Sequence, residues 1–110
     1  MDLDKVRKRF LPMSETMFYI LFSLREERHG YGIMQHVQSL TSGRISLGAG
    51  TLYQSLAKLE GDGLIIQTAE IERKKFYLAT ESGTIILQEE ALRISELYRN
   101  VAELLPLEHT

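Results

Sequence analysis

The chain has 110 residues, with 13 Lys and Arg against 15 Asp and Glu, three His and no Cys, for a formal net charge of −2. That length is one domain, or one domain with an extension, and 44% hydrophobic with 25% charged residues excludes wholesale disorder. No apolar run reaches the roughly 18 residues of a spanning helix; the opening MDLDKVRKRF lacks the apolar stretch of a secretory signal; and the missing cysteines exclude disulfides and thiolate zinc sites. A cytoplasmic protein is the expectation, without a membrane partner and without a cofactor.

Charge is unevenly spread. Residues 1–12 carry +2, residues 13–43 −1, residues 44–80 +1 and residues 81–110 −4. The chain lacks the strongly basic balance that announces nucleic-acid binding. Two local clusters remain, Lys5-Arg7-Lys8-Arg9 and Arg73-Lys74-Lys75.

Residues 1–12 read either as an arm or as a short helix in which Val6 and Phe10, four apart, dock on a dimer and leave the charges for DNA. Ser14 is a good N-cap for a first clear helix. Met17, Phe18, Ile20, Leu21, Phe22 and Leu24 cover most of its surface, which predicts a buried helix to about Arg28. His29-Gly30-Tyr31-Gly32 breaks the pattern. A second helix carries Ile33, Val37 and Leu40 and stops at Thr41-Ser42-Gly43.

The third helix is predicted from Thr51 to about Gly61, with Leu52, Leu56 and Leu59 facing the core and Gln54 and Lys58 opposite. Residues 64–68 read as a strand, 70–74 as a polar turn and 75–79 as the returning strand, a β-hairpin whose tip has no Asn-Gly or Asp-Gly. Thr80 caps a last helix, with Glu81 where the helix dipole favours an acid. Leu87, Ala91, Ile94, Tyr98, Val101 and Leu105 follow at alternating spacings of four and three, a heptad seam. Leu92, Leu97 and Leu104 form a second apolar flank, Glu89 and Glu90 read as solvated, and Pro106 stops the pattern. The expected fold is mainly α with a small β-hairpin: a winged helix-turn-helix over 13–80 and a C-terminal dimerisation helix over 81–110.

In a winged helix the third helix fits the major groove, about 12 Å wide, and the hairpin reaches an adjacent backbone. Phosphate contacts set position, and base-edge contacts set sequence. The stretch Gly48-Ala49-Gly50-Thr51-Leu52-Tyr53-Gln54-Ser55-Leu56-Ala57-Lys58-Leu59-Glu60-Gly61-Asp62-Gly63-Leu64-Ile65 resembles the signature of PadR-type transcriptional regulators. The resemblance includes His29-Gly30-Tyr31-Gly32-Ile33 and the run from Arg73 through Phe76-Tyr77 to Thr80-Glu81-Ser82-Gly83. It covers roughly residues 12–105. Where the family has Pro after Gly-Thr-Leu-Tyr, this chain has Gln54, whose amide can read an adenine edge.

The resemblance implies a homodimeric DNA-binding repressor of the subgroup with a single C-terminal helix. Some members bind flat aromatic drugs at the dimer interface. That role is not carried over, because the chain has no Trp and Tyr98 alone is aromatic in the last helix. The expected DNA contacts are Tyr31, Thr51, Tyr53, Gln54, Lys58, Arg73, Lys74 and Lys75. The expected dimer contacts are Leu87, Ala91, Ile94, Tyr98, Val101 and Leu105. The partners are double-stranded DNA and a second copy. A ligand or further partner that changes the distance between recognition helices is expected to exert control, and no residue names it.

Each assignment has a plainer counterpart. Arg73-Lys74-Lys75 also reads as a solvated tip; Tyr53 as a core aromatic with its hydroxyl outward; Gln54 and Lys58 as exposed helix polars. His29, His36 and His109 lack metal-ligand spacing and read as capping or surface residues. No nucleophile elbow or phosphate loop marks an enzyme. Two rival functions stand beside DNA binding, a winged helix used for protein contact alone and a ligand sensor at the dimer interface.

Overall fold

Local sequence signals start most of the elements. The computed structural model describes residues 2–106. The Asp2 carboxylate accepts the Asp4 N–H at 3.0 Å and caps α1 (Leu3–Phe10). Ser14 does the same for α2 (Glu15–Ser23), accepting the Met17 N–H at 3.1 Å. These bonds satisfy donors that a helix start leaves orphaned. A two-residue strand β1 (Arg28–His29) leads into α3 (Gly30–Leu40), and a loop leads to α4 (Ala49–Gly61). Strands β2 (Ile65–Ile71) and β3 (Lys74–Ala79) form the wing. The last helix, α5 (Glu81–Val101), ends in one 3-10 turn, Ala102–Leu104.

The core is built around α2, which packs against α3, α4 and α5. Ile20, Leu21 and Leu24 meet Ile33 and Val37 of α3, the Leu52-Leu56-Leu59 stripe of α4, Leu64 and Ile65 at the foot of the wing, and Ile86 of α5. Each such side chain contributes about 1.5–3 kcal/mol on burial. The core crosses both expected boundaries, at 12/13 and 80/81. Val6 and Phe10 are buried in it from one side, Ile86 and Leu87 from the other.

Several expectations are corrected here. The first clear helix ends at Ser23, not near Arg28, because Arg28 and His29 pair with Tyr77 and Phe76 as a third strand, giving the antiparallel order β1-β3-β2. The hairpin is longer than expected and its loop is two residues, since Ile71 pairs with Lys74. Glu72 and Arg73 both take positive φ, 51° and 69°, as the twist of a two-residue hairpin loop demands. A register shift between Gln67 and Ala69 adds a bulge to β2.

Leu3–Phe10 form a helix whose Val6 and Phe10 are buried in the chain's own core rather than left to dock on a dimer. Two of the four basic residues of this segment are engaged: Arg7 donates to both oxygens of Glu89 at 2.8 and 2.9 Å and to Asp4 at 2.8 Å, and Arg9 pairs with Asp62. Those Glu89 bonds hold its carboxyl below the usual range. Glu90 is not solvated either. It is 1% exposed, and it accepts the Met13 N–H at 2.7 Å and Arg93 at 2.6 and 2.8 Å.

The start of α5 is fastened to the base of the wing. Thr80 donates its N–H to the Leu64 carbonyl at 3.0 Å. Its hydroxyl donates to the Gly63 carbonyl at 2.6 Å and accepts the Gly83 N–H at 3.1 Å. A side chain at Gly83 would collide with the Leu64 carbonyl, so glycine is what allows the two backbones to approach. Beyond Glu90, no residue of α5 is buried. The radius of gyration, 15.0 Å, exceeds the roughly 13 Å of a compact domain this size, as this overhang requires.

Candidate nucleic-acid interface

The apolar stripe of α4 is turned inward, so its other face is open. Thr51, Tyr53, Gln54 and Lys58 are all exposed on it. The Thr51 carbonyl accepts the Ser55 hydroxyl at 2.9 Å, leaving the Thr51 side chain at the rim of the first turn. Gln54 faces solvent where the family's proline would stand.

Tyr31 at the first turn of α3, Tyr53 of α4, and Arg73, Lys74 and Lys75 of the wing line one cleft of about 480 Å³. Five of the eight expected contacts thus converge from three elements. His29, Gly30 and Tyr77 complete the lining, and none of them was among the expected DNA contacts. Their signal was present in the His29-Gly30-Tyr31-Gly32 break and the aromatic pair Phe76-Tyr77, but composition alone attaches no chemistry to either.

Tyr53 is placed by its neighbour. A Cβ on Gly30 would come within 2.6 Å of the Tyr53 hydroxyl oxygen, so the phenol lies directly over the start of α3. The His29 ring packs on Phe76, centroids 5.1 Å apart. It occupies the N-cap position of α3 without capping it. His36 is elsewhere, with Nδ1 2.8 Å from the Ser23 hydroxyl. That hydroxyl donates to the Tyr19 carbonyl, so His36 Nδ1 is the donor. Burial first, then Arg28 and Arg25, lower the His36 pKa. His109 lies outside the described residues.

Lys58 stands apart from this cleft. It lines a second groove with Arg9, Phe10, Pro12, Met13, Ser14, Met17 and Asp62, on the α1–α2 side of α4. Cations therefore flank the exposed α4 face on two sides. On α5 the half-buried Glu89 and the buried Glu90 are tied up by Arg7 and Arg93.

The expected dimer residues divide. Leu87 is 6% exposed in the chain's own core, and its place in an intermolecular seam is corrected accordingly. Ala91 and Ile94, with Leu97, face Met13, Glu15, Phe18 and Tyr19 across a groove of about 420 Å³. Tyr98 and Val101 are exposed, as are Leu97 and Leu104. Leu105 lies past the end of α5 and is half-buried. The open apolar strip therefore begins after Glu90.

Among the described residues no group of His, Cys, Asp and Glu is placed to hold a metal ion. No helix among them is long and apolar enough to cross a membrane.

The model of the Transcriptional regulator PadR-like family matches residues 19–89, which include α3, α4, the wing and the first half of α5. The transcriptional regulator YqjI of Escherichia coli (strain K12) is 33% identical over 84 residues, 76% of this chain and 41% of that protein. The chain thus spans about two fifths of the length of the curated relatives it matches. Among solved structures, a PadR family transcriptional regulator from Eggerthella lenta DSM 2243 superposes with a TM-score of 0.68 at 26% identity, covering 96% of this chain and 89% of that one. A PadR family transcription regulator from Clostridium difficile R20291 shares the fold, with a TM-score of 0.70 at 21% identity over 84% of this chain and all of that one.

Proposed function

The chain belongs to the PadR-like family of transcriptional regulators, and we propose that it is a sequence-specific DNA-binding repressor acting as a homodimer on a near-palindromic operator. Its family is one of regulators rather than enzymes. The observation that carries the reading is the convergence of Tyr31, Tyr53, Arg73, Lys74 and Lys75 on one cleft beside the exposed face of α4. In this arrangement α4 enters the major groove, with Thr51 and Gln54 at the base edges. The wing lysines and Tyr31 hold phosphates, and Lys58 meets the backbone on the other side.

Residues 13–80 serve as the DNA-binding unit, stiffened by α1. The outer part of α5 serves as the pairing arm, through Ala91, Ile94, Tyr98 and Val101. Two copies would set their α4 helices in successive major grooves, about 34–36 Å apart. Repression then follows from occupancy of the operator, and release from whatever alters the spacing between the two α4 helices.

Binding to duplexes selected from random DNA, measured by fluorescence anisotropy across a salt series, tests this. A steep fall of affinity with salt is expected, because each neutralised phosphate releases condensed counterions. Lys74→Ala should weaken binding to all sequences and reduce the log–log salt slope by about one unit. Selection that enriches no sequence, or an affinity indifferent to salt, would refute the reading.

A further inference from the structure

Helix α1 holds two other helices at once. Its Val6 and Phe10 are buried in the core, and Arg7 and Arg9, two residues apart, lie on opposite sides of it. Arg7 grips Glu89 of α5 with two hydrogen bonds, at 2.8 and 2.9 Å. Arg9 pairs with Asp62, the residue that ends α4. A cation at that point also meets the negative end of the α4 dipole. The segment after α1 adds a third tie, from the Met13 N–H to Glu90 of α5 at 2.7 Å.

The place of these ties on α5 gives them their effect. Glu90 is the last buried residue of that helix, so Glu89 and Glu90 stand where it leaves its own core. Among the described residues they make the outermost hydrogen bonds between α5 and the rest of the chain. Ile86 and Leu87 hold α5 by one face. Glu89, three residues past Ile86, lies about 60° round the helix from it, on the side away from Leu87. Arg7 therefore grips a flank that the core leaves free. At the other end, a groove of about 350 Å³ lies between Val6 and Arg9 on one side and Glu60 to Gly63 on the other. The Arg9–Asp62 pair thus ties α1 to α4 beside an open groove and not within a packed seam. Both arginine pairs are partly exposed, and such pairs are individually weak, so they can yield without opening the core.

We propose that α1 is a strap that sets the angle between the outer part of α5 and α4, with Arg7 and Arg9 as positioning residues at its two ends. The proposal rests on the homodimer reading above, because in a pair of copies that angle sets the distance between the two α4 helices. Neither arginine touches DNA in this role.

The chain has no cysteine, so Ala57→Cys, on the exposed side of α4, carries one nitroxide label per copy. Pulsed dipolar spectroscopy on the labelled full chain reads the distance between the two α4 helices without DNA. The labelled parent should give one narrow distribution. Arg7→Ala should widen or shift it by about 3 Å, the travel that a tilt of about 10° gives over the roughly 16 Å of α5 beyond Glu90. Glu89→Ala should do the same, and the double variant should add nothing, because the contact they share is already gone. Arg9→Ala probes the other end with the same expected change. A distribution left unaltered by Arg7→Ala or by Arg9→Ala would overturn the strap and leave the dimer standing, even if the thermal midpoint fell. A labelled parent with no dipolar signal would overturn the dimer and the strap together. On DNA, Arg7→Ala should bind a single half-site as the wild type does, while its penalty for one base pair inserted between half-sites should shrink. A loss at the single half-site would place Arg7 on the DNA itself and overturn its role in the strap.

Discussion

Glu90 shows how one carboxylate can join distant parts of the chain. It sits on α5, yet it accepts the backbone N–H of Met13, just ahead of α2, and is held there by Arg93. The Arg93 hydrogen bonds, with help from the Met13 N–H, lower the Glu90 pKa against the opposing effect of burial. A carboxyl lowered in the fold stabilises it fully above the ordinary value of 4.5, and that contribution is lost as pH falls through the lower folded value. Glu90→Ala leaves the Met13 N–H buried without an acceptor and should cost about 1–3 kcal/mol. Urea unfolding at pH 7 and again near pH 3 checks both points: the gap between wild type and variant should narrow on acidification. A gap that stays constant with pH would show that the lost packing, not the charge, matters. From sequence, Glu90 was indistinguishable from a solvated glutamate. Helical periodicity gives a residue's face but not what lies against it, and Met13 is 77 positions away.

At the level of elements, the wing is where sequence and structure part most. The caps were legible, since Ser14 and Thr80 each accept the N–H three residues on. So was the α4 stripe, whose three leucines are all buried. Strand β1 was not, because two residues cannot display a period of two, and it exists only through its pairing with Tyr77 and Phe76. The tip was misplaced for a related reason. A two-residue loop with both φ positive normally advertises itself with Asn or Gly, whereas here Glu72 and Arg73 adopt it. Long side chains in that region cost about 1 kcal/mol per residue. Glu72→Asn should therefore raise stability by about 0.5–1 kcal/mol, read as a higher thermal midpoint, and should leave the wing cations in place. An unchanged or lower midpoint would mean that the loop tolerates glutamate without strain. The convergence of the cleft was legible only in part. Three motifs far apart in the chain each looked like punctuation or charge, and the three-stranded pairing is what brings them together.

For the molecule as a whole, the division of α5 is decisive. Its first ten residues complete the core; beyond them Ile94, Leu97, Tyr98 and Val101, and Leu104 of the turn that follows, are exposed. An exposed strip of this kind on a single subunit is the ordinary mark of an interaction surface. Ile94→Glu, placing a charge at the groove shared with Phe18 and Tyr19, should convert a dimer to monomers in sedimentation velocity while preserving the helical circular dichroism of the wild type. A dimeric variant would refute that interface. The heptad pattern ran from Leu87 to Leu105, but Leu87 is buried in the chain's own core and the exposed apolar side chains begin beyond Glu90. Spacing cannot tell a side chain that meets a partner from one that meets its own core.

The joint at Thr80 and Gly83 has a mechanical consequence. Because α5 is clamped there to Leu64 and Gly63, at the junction of α4 and the wing, it is a rigid crank rather than a hinged tail. Its 21 residues reach about 32 Å, so a rotation of about 6° about the joint carries its far end by about 3.4 Å. Whatever turns the far end of α5 therefore turns the base of the wing with it.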